Sequence, residues 1–173
     1  MLNKVLQWSV AQFIIKVIKL LTSGSVLMQV YDIELIKESE GLRLNAYLPT
    51  PHDKWTIGYG HTKGVSKGMW ITEAQAEQFL REDLSWVESC INKWVKATLT
   101  QNQFDALASL VFNIGEGNFI SSSVLRWLNA GNVKQAADSF VLWNKQKNKQ
   151  TGKLEVLDGL TKRRQKEKEL FLR

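Results

Sequence analysis

Only one stretch of this chain, from Leu42 to Thr62, has the make-up of β-strand, and everything after it repeats with the period of a helix. Leu42 to Tyr47 alternates in part, and Trp55 to Thr62 comes after a loop, Pro49 to Lys54, that holds both prolines of the chain. Two short strands about one such loop read as a β-hairpin or a small three-stranded sheet. Downstream, Thr72 with Gln75 spells a capping box ahead of a long apolar stripe: Ala76, Phe79, Leu80, Leu84, Val87, Ile91, Trp94 and Val95. Thr100 with Gln103 spells a second box, and Phe104, Leu107, Ala108, Val111 and Phe112 mark one helix face that stops at Gly115 and Gly117. Shorter helices are expected around Val124 to Leu128 and over Val133 to Trp143. Lys145 to Lys153 reads as a basic loop, and Thr161 as the cap of a last charged helix. Upstream, Tyr31 to Ile36 leads into a polar run that ends at Gly41, a short helix with Glu40 on its last turn. The expected architecture is α+β, a small β lobe joined by a long helix to a larger helical lobe.

At 173 residues and 44% hydrophobic, the chain is long enough for one domain with a true core. Seven tryptophans exceed what that core needs, so some are expected to line a cleft. The net charge of +6 resides entirely between Asn144 and Arg173, where ten Lys or Arg face four acids. Such an end suits an anionic partner, a membrane surface or an acidic polysaccharide, and is equally what a solvated helix face looks like. Nucleic acid is not expected, because no aromatic platform is interleaved with the basic residues. The single cysteine, Cys90, excludes an intrachain disulfide and a thiolate metal cluster, and its neighbours Trp86, Val87, Ile91 and Trp94 mark it as a buried thiol. With only His52 and His61, no zinc site is expected.

Residues 1–29 stand apart as an amphipathic segment ahead of a domain spanning 30–173. Val5 to Ile15 is uncharged but too short to cross a bilayer, and Lys16 and Lys19 interrupt its continuation. Lys4 before an apolar run resembles a secretory signal, without a small-x-small cleavage site after it. On a helix, Gln12, Lys16, Lys19 and Ser23 form one polar stripe, and Thr22 to Ser25 reads as a break. Three readings stay open: a membrane-directing segment, a docked amphipathic helix, and a functionless extension ahead of Met28.

Glu40 sits where a helix gives way to a strand, a place from which a carboxyl can face a cleft. The run W-T-I-G-Y-G-H at 55–61 puts Gly58 and Gly60 where a strand wants bulk, which suggests that something approaches the backbone closely. Glu40-Gly41-Leu42-Arg43-Leu44, Ala46-Tyr47 and Trp55 to Thr62 precede, in order, three further blocks: Leu99 to Leu107, Val111 to Phe119 and Gly159 to Arg164. From about Val30 to the C-terminus, this ordered set resembles the phage-type lysozymes, or endolysins.

The resemblance implies a lysozyme-like fold with a cleft between the lobes. It also implies a muramidase that hydrolyses the β-1,4 bond between N-acetylmuramic acid and N-acetylglucosamine in peptidoglycan, lysing the host. No metal or cofactor is implied. Peptidoglycan is the expected partner, with membrane contact through residues 1–27 and a monomeric state. The protein would wait in the host cytoplasm, or leave by a signal-anchor, and act on the wall from the periplasm. Glu40 would be the general acid on the glycosidic oxygen, and the Thr56 hydroxyl would position water or substrate. Family members carry Asp or Cys nine residues after that glutamate and six before the threonine. Here those places hold Pro49 and Thr50, in a loop one residue longer, whose only acid is Asp53. Asp53 is preferred to Thr50 as the second catalytic group, because an oxocarbenium-like transition state favours a nearby anion. Whether the outcome is inverting or retaining depends on that group. Thr62, Phe112 and Asn113 are the expected substrate contacts. His61 is assigned to the hairpin, and Arg163 and Arg164 to packing and salt bridging. Two alternatives are a lytic transglycosylase on the same bond and a wall-binding or membrane-active protein with weakened catalysis.

Overall fold

A computed structural model of the chain describes residues 27–50, 53–148 and 151–173. Residues 1–26 of the expected N-terminal amphipathic segment, and His52, lie outside those residues. The first described stretch runs extended over the helical lobe and is pinned there by side chains. Asn92 brackets Met28, accepting from its N–H at 2.9 Å and donating to its carbonyl at 2.7 Å. Glu88 accepts the Val30 N–H at 2.8 Å, Gln101 donates to the Gln29 carbonyl at 2.9 Å, and Asp105 accepts the N–H groups of Tyr31 and Asp32 at 2.9 and 3.3 Å. This extended segment thus satisfies its backbone through carboxylates and amides.

Helix α1 (Glu34–Glu40) comes next, closed by Gly41, whose φ of 73° no β-carbon residue adopts cheaply and whose N–H returns to the Lys37 carbonyl. Strands β1 (Arg43–Tyr47) and β2 (Thr56–Gly58) pair antiparallel, Arg43 opposite Gly58 and Tyr47 opposite Thr56. Four steps along β1 match two along β2, so the ribbon is bulged and bends. The segment around Trp70 adds a third edge, with Ala46 N–H on Met69 O and Ile71 N–H on Leu44 O, both at 2.9 Å. Ile57 and His61 exchange backbone bonds at 2.9 Å across a tight turn, and this explains the glycines. Gly58 and Gly60 carry φ of 65° and 100°, and a β-carbon on Gly58 would lie 3.3 Å from that of Ala76. Turn geometry calls for both glycines, and close helix packing adds to the demand at Gly58.

The helical lobe comprises α2 (Glu73–Asp83), α3 (Ser85–Trp94), α4 (Gln101–Ile114), α5 (Glu116–Ile120), α6 (Ser123–Asn129), α7 (Val133–Asp138) and α8 (Asp158–Phe171). Both capping boxes form as read, Thr72 with Gln75 and Thr100 with Gln103. Helix α4 is the core of the lobe: Phe104, Ala106, Leu107, Ala108, Leu110 and Val111 are fully buried, and α8 packs along it. Burial of the Phe, Leu and Val side chains among them, each worth about 1.5–3 kcal/mol, is what fixes the lobe.

Four local expectations are corrected. The long helix expected between the lobes is two helices, α2 and α3, separated by Leu84. The expected helix over Val133 to Trp143 gives way after Asp138 to a 3₁₀ turn, Phe140–Trp143, which buries Phe140 against Phe171 at 5.3 Å between ring centroids. The basic loop is a second hairpin, β3 (Lys145–Lys147) with β4 (Leu154–Val156), exposed throughout. Thr161 is not a cap, since α8 starts at Asp158; its hydroxyl donates to the Leu157 carbonyl and accepts from Asn144. Cys90 is buried as read, and burial pushes its thiol up to about 11.

Candidate active site

The short helix α1 delivers Glu40 to the edge of the hairpin, and Gly41 turns the chain away at once, so the side chain is not covered by its own strand. A quarter of that side chain stays open to solvent. Its Oε1 accepts from Arg163 Nη1 at 2.7 Å, which joins the first described helix to the last. Lys37, one turn earlier, bonds to Glu34 on its own helix and to Glu77 on α2, and those two bonds, Glu77 first, hold its ammonium well above the usual lysine range. The acid-bearing helix is therefore tied to both neighbours.

Arg163 and Arg164 pack and form salt bridges as expected, in a buried charge cluster whose other members, Glu167 and Ser109, sequence reasoning did not single out. Arg163 is almost fully buried; its Nε donates to Glu167 Oε1 at 3.1 Å, and its Nη2 donates to the Ser109 carbonyl at 3.0 Å and to Ser109 Oγ at 3.3 Å. Glu167, fully buried, also accepts from Ser109 Oγ at 2.6 Å and from Arg164 Nη2 at 2.9 Å. Burial pushes the Glu167 carboxyl up, against the pull of Arg164, Ser109 and Arg163, and pushes the Arg164 guanidinium down. The i, i+4 spacing of Arg163 and Glu167 is a legible signal for part of this cluster. Nothing in the sequence points to Ser109, which comes from α4.

The other expected site residues are spread over the hairpin and α4. Thr56, at the start of β2, is buried, and its hydroxyl donates to the Lys54 carbonyl at 3.0 Å. With its proton committed there, its oxygen remains an acceptor. Asp53 is exposed and closes a turn through its N–H on the Thr50 carbonyl at 3.0 Å. Thr62 is exposed just beyond the Ile57–His61 turn. His61 is structural in form: buried, stacked on Phe79 at 4.4 Å, with Nδ1 2.8 Å from Asp83 and Nε2 2.8 Å from the Lys63 carbonyl. Phe112 and Asn113 stand one turn beyond Ser109 on α4, the ring half-buried on the core and the amide exposed. Thus Ser109, Arg163 and Glu40 form one contact chain, near whose α4 end Phe112 and Asn113 lie. Among the described residues, no group of His, Cys, Asp and Glu is arranged to hold a metal ion.

Known proteins match both the sequence and the overall fold. The endolysin of Acyrthosiphon pisum secondary endosymbiont phage 1 is 50% identical over 137 residues, 79% of this chain and 92% of that protein. The endolysin of Bacillus phage B103 is 45% identical over 81% of this chain, which spans about half, 52%, of that relative's length. The SAR-endolysin of Enterobacteria phage P21 is 34% identical over 78% of this chain and 79% of its own. Among solved structures, the muramidase domain of SpmX from Asticaccaulis excentricus superposes with a TM-score of 0.79 at 42% identity, covering 84% of this chain and 98% of that one. A P22 lysozyme variant superposes with a TM-score of 0.75 at 43% identity, covering 84% and 99%. Residues 37–167 match the model of the phage lysozyme family. The chain belongs to the phage lysozyme family.

Proposed function

We infer that this chain is a phage endolysin, a lysozyme-type glycoside hydrolase that cleaves peptidoglycan between N-acetylmuramic acid and N-acetylglucosamine. The observation that carries the assignment of the acid is Glu40 itself: a carboxyl gripped through one oxygen by Arg163 at 2.7 Å, with a quarter of its side chain open beside a hairpin. In its protonated state Glu40 donates to the glycosidic oxygen as the bond to the sugar breaks. Thr56, whose proton is held by Lys54, accepts from a water and turns its lone pair toward the sugar. Asp53 supplies negative charge opposite the developing cation, with Thr50 as the alternative group. Thr62, Phe112 and Asn113 contact the glycan on the two sides of the cleft.

Turbidity loss of purified peptidoglycan tests the assignment. Glu40→Gln lowers the rate by about 10²–10⁴-fold, the usual contribution of a general acid, while the protein stays folded. Undiminished lysis by that variant would remove Glu40 from the mechanism. Asp53→Asn compared with Thr50→Val then separates the two candidates for the second role. Mass spectrometry of the released muropeptides distinguishes hydrolysis, which adds water, from transglycosylation, which leaves anhydro ends.

The protein acts on the cell wall as a monomer, without nucleic acid. Residues 1–27 are proposed to contact the membrane and to serve as a signal-anchor for export. The polar stripe of that segment supports the membrane contact, and the likeness to a SAR-endolysin supports the export. Among the described residues, no helix is long and apolar enough to cross a membrane. Fractionation of cells expressing the chain with and without residues 1–27 tests it: the full chain partitions with membranes and the shortened one does not.

A further inference from the structure

We propose that Glu167 is a positioning residue, which holds Arg163 so that only one oxygen of Glu40 is taken and the other stays free for the substrate. The inference rests on the reading of Glu40 as the general acid. A guanidinium offers five N–H groups in one plane and tends to grip a carboxylate through two of them at once. Arg163 does not grip Glu40 in that way. Its Nε is occupied by Glu167 Oε1, and its Nη2 by the carbonyl and hydroxyl oxygens of Ser109. Only Nη1 is left for Glu40, and it takes Oε1 alone. Glu40 Oε2 makes no hydrogen bond among the described residues. An acid must present an oxygen that is not already committed, so a two-point grip would block the chemistry while leaving the ion pair intact.

Glu167 is the hub of this restraint. It holds Arg163 Nε directly, and it accepts from Ser109 Oγ at 2.6 Å, which steadies the second anchor on the guanidinium. It also balances Arg164, which is fully buried; Arg164 Nη2 donates to Oε1 at 2.9 Å and its Nε lies 2.8 Å from Oε2. Two cations and two carboxylates, Glu40 among them, therefore share the cluster. Without Glu167, the Nε edge of Arg163 and the Ser109 hydroxyl are both released, and the guanidinium is free to rotate onto both oxygens of Glu40.

Glu167 has an evident structural duty to Arg164, so the test must separate the two roles. In Arg164→Met/Glu167→Met, the buried opposite charges leave together and are replaced by apolar volume, an exchange that proteins often tolerate. The expected result is a melting temperature close to wild type, a kcat on peptidoglycan at least about ten-fold lower, and a KM within two-fold, because the displaced group acts on the chemistry and not on glycan binding. A folded double variant with wild-type kcat overturns the proposal and leaves Glu167 a purely structural counter-charge. Should the double variant not fold, Arg164→Leu/Glu167→Leu removes the same buried charges and every acceptor of Glu167 with a different packing shape. Its kcat falls about three-fold or more at unchanged KM below its melting temperature, and an unchanged kcat there overturns the proposal equally. Glu40→Gln is measured alongside. If it retains activity, the reading of the acid fails; if it is inactive while the double variant keeps full kcat, the positioning role alone fails.

Discussion

Removing Asp105 should unfasten the N-terminal strap. Its carboxylate is buried, and it accepts the Tyr31 N–H at 2.9 Å, the Asp32 N–H at 3.3 Å and the Gln101 amide at 2.9 Å. In Asp105→Ala all three donors lose their acceptor. A buried unpaired donor costs about 1–3 kcal/mol, but Tyr31 and Asp32 lie at the surface, so water reaches their amides and the low end applies to each. With about 0.5–1 kcal/mol for the Gln101 bond, the loss is about 2–3 kcal/mol. For a chain of this size that lowers Tm by about 5–10 °C. Asp105→Asn keeps one acceptor but presents an amino group to a backbone donor, so its loss falls between the two. Thermal unfolding gives the magnitude, and amide hydrogen exchange gives the place: the Tyr31 and Asp32 amides should exchange faster, while those of α4 near Leu107 follow global stability only. A Tm within 2 °C of wild type, or unchanged exchange at Tyr31 and Asp32, would refute the account of the strap as held by this carboxylate.

The same strap makes stability depend on pH. Burial raises both the Asp105 and the Glu88 carboxyls above their ordinary values, against the backbone N–H groups that they accept. A folded-state pKa above the unfolded one contributes stability that is complete below the unfolded value, about 4, and is lost as pH rises through the folded one. The urea midpoint of Glu88→Gln/Asp105→Asn should therefore fall further below wild type at pH 5 than at pH 7. Gly58→Ala must hold a φ of 65° with its new carbon 3.3 Å from that of Ala76, and should cost about 1–3 kcal/mol in denaturant titration. Phe104→Ala, which empties a fully buried site on α4, should cost about 3–5 kcal/mol by the same measurement. Cys90, buried and pushed up to about 11, should resist a thiol-specific disulfide reagent at pH 8 in the folded protein and react at once in urea.

Local chemistry in the sequence marks the elements whose cause is local. Thr72 with Gln75 and Thr100 with Gln103 start their helices as spelled, because a capping box is satisfied within four residues. Gly41 ends α1 for the same reason. The second hairpin was not legible: Lys145–Lys147 carries no apolar alternation, and every residue of both strands is exposed, so there was no buried face to leave a period. The long apolar stripe from Ala76 to Val95 reports burial correctly, yet burial does not require one straight helix, and the chain divides at Leu84. Within the candidate site, the place of Glu40 at the end of α1 was legible from the polar run that stops at Gly41. The pairing of Glu40 with Arg163 spans 123 positions, and the anchoring through Ser109 and Glu167 joins α4 to α8; only tertiary packing creates such contacts.

That span of 123 positions also sets an order in time. During synthesis α1 is among the earliest of the described elements to emerge, whereas Arg163 comes with α8, the last of them. Closing so long a loop carries its entropy cost before any reward from the contact. A nascent chain that is stalled, or one clipped ahead of α8, keeps the Lys37–Glu77 tie of α1 but carries Glu40 without its guanidinium partner. The pair between Glu40 and Arg163 therefore forms only after α8 has been made, and every copy without α8 lacks it.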